Sequence, residues 1–200
     1  MWLIKKSRPG LVLLCDEAGD AVRRLPETLA RKLGMGGAGE YDIPDLLEQI
    51  EKEEPKRARG RAEWYLSRRD YGGAELCKKL EQAGFSSCVS GSIVEEMVER
   101  GYIDDARYAE FRVARARRAG KSGRHAVREL AFKGVNRELA AGAAENPEAE
   151  AQAADLALTQ LKYRYRNRPD EDQKRLITAA MQRRGFSWDA LRAAMESNSQ

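Results

Sequence analysis

The stretch Leu76-Cys77-Lys78-Lys79-Leu80-Glu81-Gln82-Ala83-Gly84-Phe85-Ser86 ends one helix and begins another. Leu76 and Leu80 share a helical face. Gly84 can take the left-handed conformation that closes a helix, Phe85 can plug inward, and the Ser86 oxygen can cap the free N–H groups of the next helix. The joint returns twice: Val127 and Leu130 precede Gly134-Val135-Asn136, and Ile177 and Met181 precede Gly185-Phe186-Ser187, so the chain repeats at intervals of 50 and 51 residues. Upstream of each joint lie segments rich in helix formers: Arg57 to Arg69 with Trp64-Tyr65-Leu66, Ala106 to Ala119, and Ala149 to Tyr165 with Leu156, Leu158 and Leu161.

Each repeat therefore reads as three helices. A unit of about fifty residues buries little surface alone, so neighbouring copies are expected to share apolar faces. The expected fold is mainly α: tandem three-helix repeats in an elongated array, with a small α+β N-terminal appendage. The boundaries read as 1–55 for the appendage, then 56–103, 104–147 and 148–200 for the three repeats. Elongated helical arrays usually bind large partners.

With 200 residues, 34% charged, and a mean hydropathy of −0.67, the chain reads as soluble, with no membrane span. The apolar run Leu11 to Cys15 is too short for a signal-peptide core, so a cytoplasmic location is expected. Cys15, Cys77 and Cys88 are odd in number, scattered, and without a Cys-x-x-Cys pair, which favours buried thiols over disulfides or zinc.

Charge is unevenly distributed. Residues 1–55 carry net −3 and residues 138–200 net −1, whereas 56–137 hold nineteen Lys or Arg against eleven Asp or Glu, net +8. Within 106–133 nine basic residues face two acids: Arg107, Arg112, Arg115, Arg117, Arg118, Lys121, Arg124, Arg128 and Lys133. Such a concentration on two successive helices is the electrostatic footprint of a polyanion-binding surface, against the plainer reading of a solvated helix face. Arginine outnumbers lysine seven to two, which suits bidentate recognition of phosphate or carboxylate. On a helical wheel Ala109, Val113 and Ala116 fall together, while Arg107, Arg112, Arg115 and Arg118 spread over the opposite side with Tyr108 and Phe111 among them. These two rings could stack on bases, but a second core contact, against the preceding helix, is the expected role.

The appendage reads as a strand over Leu11 to Cys15, a turn from Asp16 to Asp20 around Gly19, and a return strand over Ala21 to Leu25. Pro26 suits the first turn of a helix running to Leu33 with Gly34 as its stop, and Asp45 to Glu54 reads as a second helix ended by Pro55. Gly34-Met35-Gly36-Gly37-Ala38-Gly39 matches G-x-G-x-x-G by letter only. It follows a helix-like segment rather than a strand, so a loop is expected and no dinucleotide. Glu95, Glu96 and Glu99 on a helix surface, followed by Asp104 and Asp105, lack a histidine companion. The aspartates are better read as caps of the helix opening at Ala106. The single His125 has no nucleophile partner in sequence. No enzyme, no cofactor and no metal are expected.

Several linked motifs carry a family resemblance. Ala62-x-Trp64-Tyr65-Leu66-Ser67-Arg68-Arg69-Asp70, Glu75-Leu76-x-x-Lys79-Leu80-x-x-x-Gly84-Phe85 and Gly101-Tyr102-Ile103-Asp104-Asp105-Ala106-Arg107-Tyr108-Ala109 resemble the RecX family of recombinase regulators. Arg128-Glu129-Leu130-x-x-Lys133-Gly134-Val135 and Arg183-Arg184-Gly185-Phe186-Ser187-Trp188 are similar to its second and third repeat signatures, extending the resemblance over about residues 56–196. Two positions depart from the pattern: Arg112 stands where an apolar residue is common, and Lys121-Ser122 replaces an aromatic-Gly pair. The resemblance implies a bacterial protein that binds the RecA recombinase filament on DNA and lowers its ATPase and strand-exchange activity, with no catalytic residues to carry over. The expected filament or nucleic-acid surface is Arg107, Arg112, Arg115, Arg118, Lys121, Arg124 and Arg128. The expected partners are the RecA filament and single- or double-stranded DNA, met by a monomer. The competing readings are a helical repeat acting directly on nucleic acid, and a helical scaffold for another protein.

Overall fold

The computed structural model describes residues 3–16, 18, 20–35 and 43–197. They form two compact units, one ending at Asp104 and one starting at Asp105.

The first unit opens with a three-stranded antiparallel sheet in the order β1-β2-β3: β1 Leu3–Arg8, β2 Leu11–Cys15 and β3 Ala21–Pro26. The hairpin of β2 and β3 is the expected one, in a register that pairs Val12 with Leu25 and Leu14 with Arg23. β1 was not legible because Lys5-Lys6-Ser7-Arg8 has no apolar alternation. Asp16 closes the turn, its N–H donating to the Asp20 carbonyl and its carboxylate accepting from the Asp20 N–H, both at 2.9 Å. Gly19 lies outside the described residues. Helix α1 (Glu27–Lys32) follows Pro26 and is closed by Gly34 as expected; Gly36 to Gly39 of the glycine-rich segment are again outside the described residues. Val12, Leu14, Leu25, Leu29, Ala30, Met35, Leu46 and Ile50 form the core of this part.

Helix α2 corrects one expectation. It runs without interruption over Ile43–Leu66, passing through Pro55, where a stop was expected. A proline inside a helix loses one backbone hydrogen bond and crowds the preceding turn, at a cost of about 3 kcal/mol. Packing on both sides offsets it: Leu46 and Ile50 join the sheet core, whereas Ala58 and Ala62 join the next one. Glu54, fully buried at the crossover, accepts from Arg23 of β3 at 2.5 Å and from the backbone N–H of Ser86 at 2.6 Å.

The rest of this unit is α3 (Gly73–Gln82) and α4 (Ser87–Glu99), which with the second half of α2 enclose Tyr71, Leu76, Leu80, Phe85, Ile93, Met97 and Ile103. The second unit holds α5 (Asp105–Arg118), α6 (Gly123–Phe132), α7 (Arg137–Ala144), α8 (Pro147–Tyr165), α9 (Asp170–Arg183) and α10 (Trp188–Ser197). One apolar cluster lies among α5 to α7 and another among α8 to α10.

The three joints have one geometry. Gly84, Gly134 and Gly185 have φ of 100, 83 and 91°. The N–H groups of Phe85, Val135 and Phe186 reach back to the carbonyls of Leu80, Leu130 and Met181, and those of the glycines to Glu81, Ala131 and Gln182. This is the paired bond of a Schellman closure. Phe85, Val135 and Phe186 are buried. Ser86, Asn136 and Ser187 each accept a backbone N–H from the helix that follows. In the second copy the buried partner of Leu130 is Ala126, fifty positions after Leu76, while Val127 is only half-buried. Periodicity alone favoured the larger side chain. The thiols also differ from expectation: Cys15 is buried, Cys77 half-buried and Cys88, in the outward first turn of α4, exposed.

Candidate nucleic-acid and filament interface

Helix α5 turns Ala109, Val113 and Ala116 inward and leaves Arg107, Arg115 and Arg118 exposed. Of its two aromatics, Tyr108 is in the core and Phe111 is half exposed. Arg112 occupies the seam toward α6, where its guanidinium stands 3.7 Å from Glu129 and 6.0 Å from the Tyr108 ring. An arginine is accommodated where an apolar residue is common because its stem lies along the seam while its head meets a carboxylate.

The second departure is explained by the α5–α6 loop. Ser122 is fully buried, its hydroxyl accepts the His125 N–H at 3.1 Å, and its own N–H donates to the Arg184 carbonyl at 3.0 Å. Lys121 places Nζ 3.1 Å from His125 Nε2. Burial, then the Lys121 ammonium, holds His125 below the usual imidazole range, against the opposing pull of Glu129, which lies 3.8 Å away. The imidazole is therefore neutral near pH 7 and accepts from Lys121. It adds no charge to the basic surface.

Arg124 and Arg128, exposed on α6, line a groove of about 1100 Å³ with Arg137 of α7, Gln182 and the Gly185-Phe186-Ser187 joint; Glu145 and Glu150 lie along it too. Arg118 lines a separate groove of about 540 Å³ with Glu110, Glu145, Asn146 and Leu156. The seven expected residues therefore have different surroundings. Arg124 and Arg128 are brought together in the groove, Arg112 and Lys121 are joined through Glu129 and His125, Arg118 turns toward α8, and Arg107 and Arg115 stand on the outer side of α5. Charge counting missed Arg137 because it lies beyond the densest run, yet a helix packed beside α6 places it in the groove.

Arg117 has a structural task. Its guanidinium donates to the Ala144 carbonyl at 2.7 Å and to Glu150 at 3.3 Å, and the same Glu150 carboxylate accepts the Gly123 N–H at 2.8 Å. Within the acidic cluster, Glu96 is likewise structural, for it receives a forked pair of bonds from Arg59 and a second ion pair from Arg100. The Arg59 bond holds the Glu96 carboxyl below the usual carboxylate range.

No family model matches the chain. Among curated proteins, it is 33% identical over 136 residues to the regulatory protein RecX of Trichlorobacter lovleyi, covering 66% of this chain and 88% of that protein. The chain belongs to the RecX family. The regulatory protein RecX of Stenotrophomonas maltophilia is 31% identical over 134 residues, covering 67% of this chain and 82% of the relative. That of Vibrio vulnificus is 32% identical over 133 residues, covering 65% and 85%. The fold agrees with two RecX crystal structures. One is 20% identical with a TM-score of 0.66, covering 98% of this chain and all of that one, and the RecX of Lactobacillus salivarius is 19% identical with a TM-score of 0.63, covering 73% and 97%. No helix among the described residues is long and apolar enough to cross a membrane.

Proposed function

We propose that this RecX-family chain is a non-catalytic regulator that binds RecA filaments on DNA and lowers their ATPase and strand-exchange activity, acting as a cytoplasmic monomer without a cofactor. The observation that supports this reading is the exposure of five arginines, three on α5 and two on α6, in a chain whose relatives are regulatory RecX proteins. Exposed Arg107, Arg115, Arg118, Arg124 and Arg128 can meet acidic protein surface and DNA phosphate together, and guanidinium forks suit both. The three repeats, at 56–103, 104–147 and 148–200, serve as successive blocks of that regulator, each with its own capped joint.

The test is the DNA-dependent ATPase rate of preformed RecA filaments during titration with this protein, beside its binding to the same DNA alone. Inhibition well below equal stoichiometry, before bare DNA is appreciably bound, is expected. Tight DNA binding without inhibition would instead make it a direct nucleic-acid binder. The double variant R115E/R118E is expected to inhibit less with unchanged helical content, because both side chains are exposed. Unchanged inhibition removes them from the interface.

A further inference from the structure

Phe132, the last residue of α6, is 90% exposed, more than any other large apolar side chain among the described residues. The fold does not ask for it. Fifty residues earlier the first repeat has Gln82 at the corresponding place, and 51 residues later the third has Arg183, both exposed. A phenyl ring left in water forgoes about 1.5 to 3 kcal/mol of burial, and the other two copies carry polar groups at its position, so the packing of the repeat does not require it.

Its surroundings define the chemistry of that ligand. Phe132 lines a shallow concavity of about 470 Å³ with His125, Arg128, Glu129, Lys133 and Arg183. The phenyl is the one apolar member of that lining. Arg128 and Arg183 are exposed, and Glu129, the single acid, faces Arg112 and His125. An aromatic ring beside Arg128, Lys133 and Arg183 matches the way proteins hold unpaired nucleic acid, with a base on the ring and phosphates on the guanidinium groups.

We propose that Phe132, with Arg128 and Arg183, forms a base-stacking site for single-stranded nucleic acid. The site adds a contact with bases to the phosphate and protein contacts proposed above.

The test is titration of the full chain with a labelled oligothymidylate and with an abasic strand of the same length, for wild type, F132A, F132W and R183E. F132A is expected to bind oligothymidylate about tenfold more weakly and the abasic strand as wild type does. F132W keeps the affinity, and R183E weakens both strands. Far-UV circular dichroism checks that F132A, altered only at an exposed ring, remains folded. Equal affinity of wild type for the two strands, or F132A binding oligothymidylate like wild type, overturns the proposal. So does an F132A variant that keeps strand affinity but loses filament inhibition, since the ring would then touch protein. Strand binding is read without recombinase, so its result is separate from the ATPase assay that tests the regulator reading.

Discussion

Gly84 and Gly101 separate two reasons for a glycine. Both have positive φ, at 100 and 73°, but a Cβ on Gly84 would lie 2.5 Å from Leu11 Cδ2 and 3.0 Å from the backbone of Leu25 and Pro26, whereas one on Gly101 meets open space. Gly101→Ala is expected to cost about 1 kcal/mol, the penalty of the left-handed conformation alone. Gly84→Ala should cost at least twice that in chemical denaturation, because the strand backbone cannot yield as a flexible side chain would. Glu54 is the other decisive residue of the first unit, joining β3 to the start of α4 through Arg23 and Ser86. Glu54→Ala leaves a guanidinium and a backbone N–H without their acceptor. Because Arg23 is 24% exposed and can recover water, a loss of about 2 to 3 kcal/mol is expected, below the range for a wholly buried pair. Nothing in the spacing of Glu54 announced this, since its neighbours Glu51 and Glu53 are acidic too and the partners lie 31 and 32 residues away.

At the scale of the element, the repeats can be compared with one another. Ser90 in α4 is fully buried, and among the described residues its hydroxyl has no hydrogen-bond partner. The corresponding place is Ala140 in α7 and Leu191 in α10, both buried. Ser90→Ala is therefore expected to stabilise the first unit by about 1 kcal/mol, seen as a higher denaturation midpoint with an unchanged slope. The basic elements also differ in what they hold together. Arg124 of α6 and Arg137 of α7 face one groove, whereas Arg115 and Arg118 of α5 do not share one. R124E/R137E should thus weaken binding to a duplex more than R115E/R118E does when the two are compared at equal salt, because two charges acting on one ligand reinforce each other. Equal losses would mean that the ligand sees only net charge.

For the whole molecule, binding to duplex DNA should fall with salt. If about four arginines contact phosphate, log K falls against log salt with a slope of roughly −3 to −4, and a flat response would indicate protein contacts instead.

The helical class, the repeat at 50 and 51 residues, the three joints and their caps, the β2–β3 hairpin and the family are legible in the residues alone. These rest on local chemistry: a left-handed glycine, an apolar plug and a capping oxygen act within a few residues of one another. That α2 passes through Pro55, that Ala126 rather than Val127 is buried, that Arg117 is a strut, and that Arg118 lines one groove while Arg124 and Arg128 line another follow from packing between elements. Each of those outcomes depends on which helix lies alongside, and burial against a distant element can outweigh a local preference of about 3 kcal/mol such as that of proline.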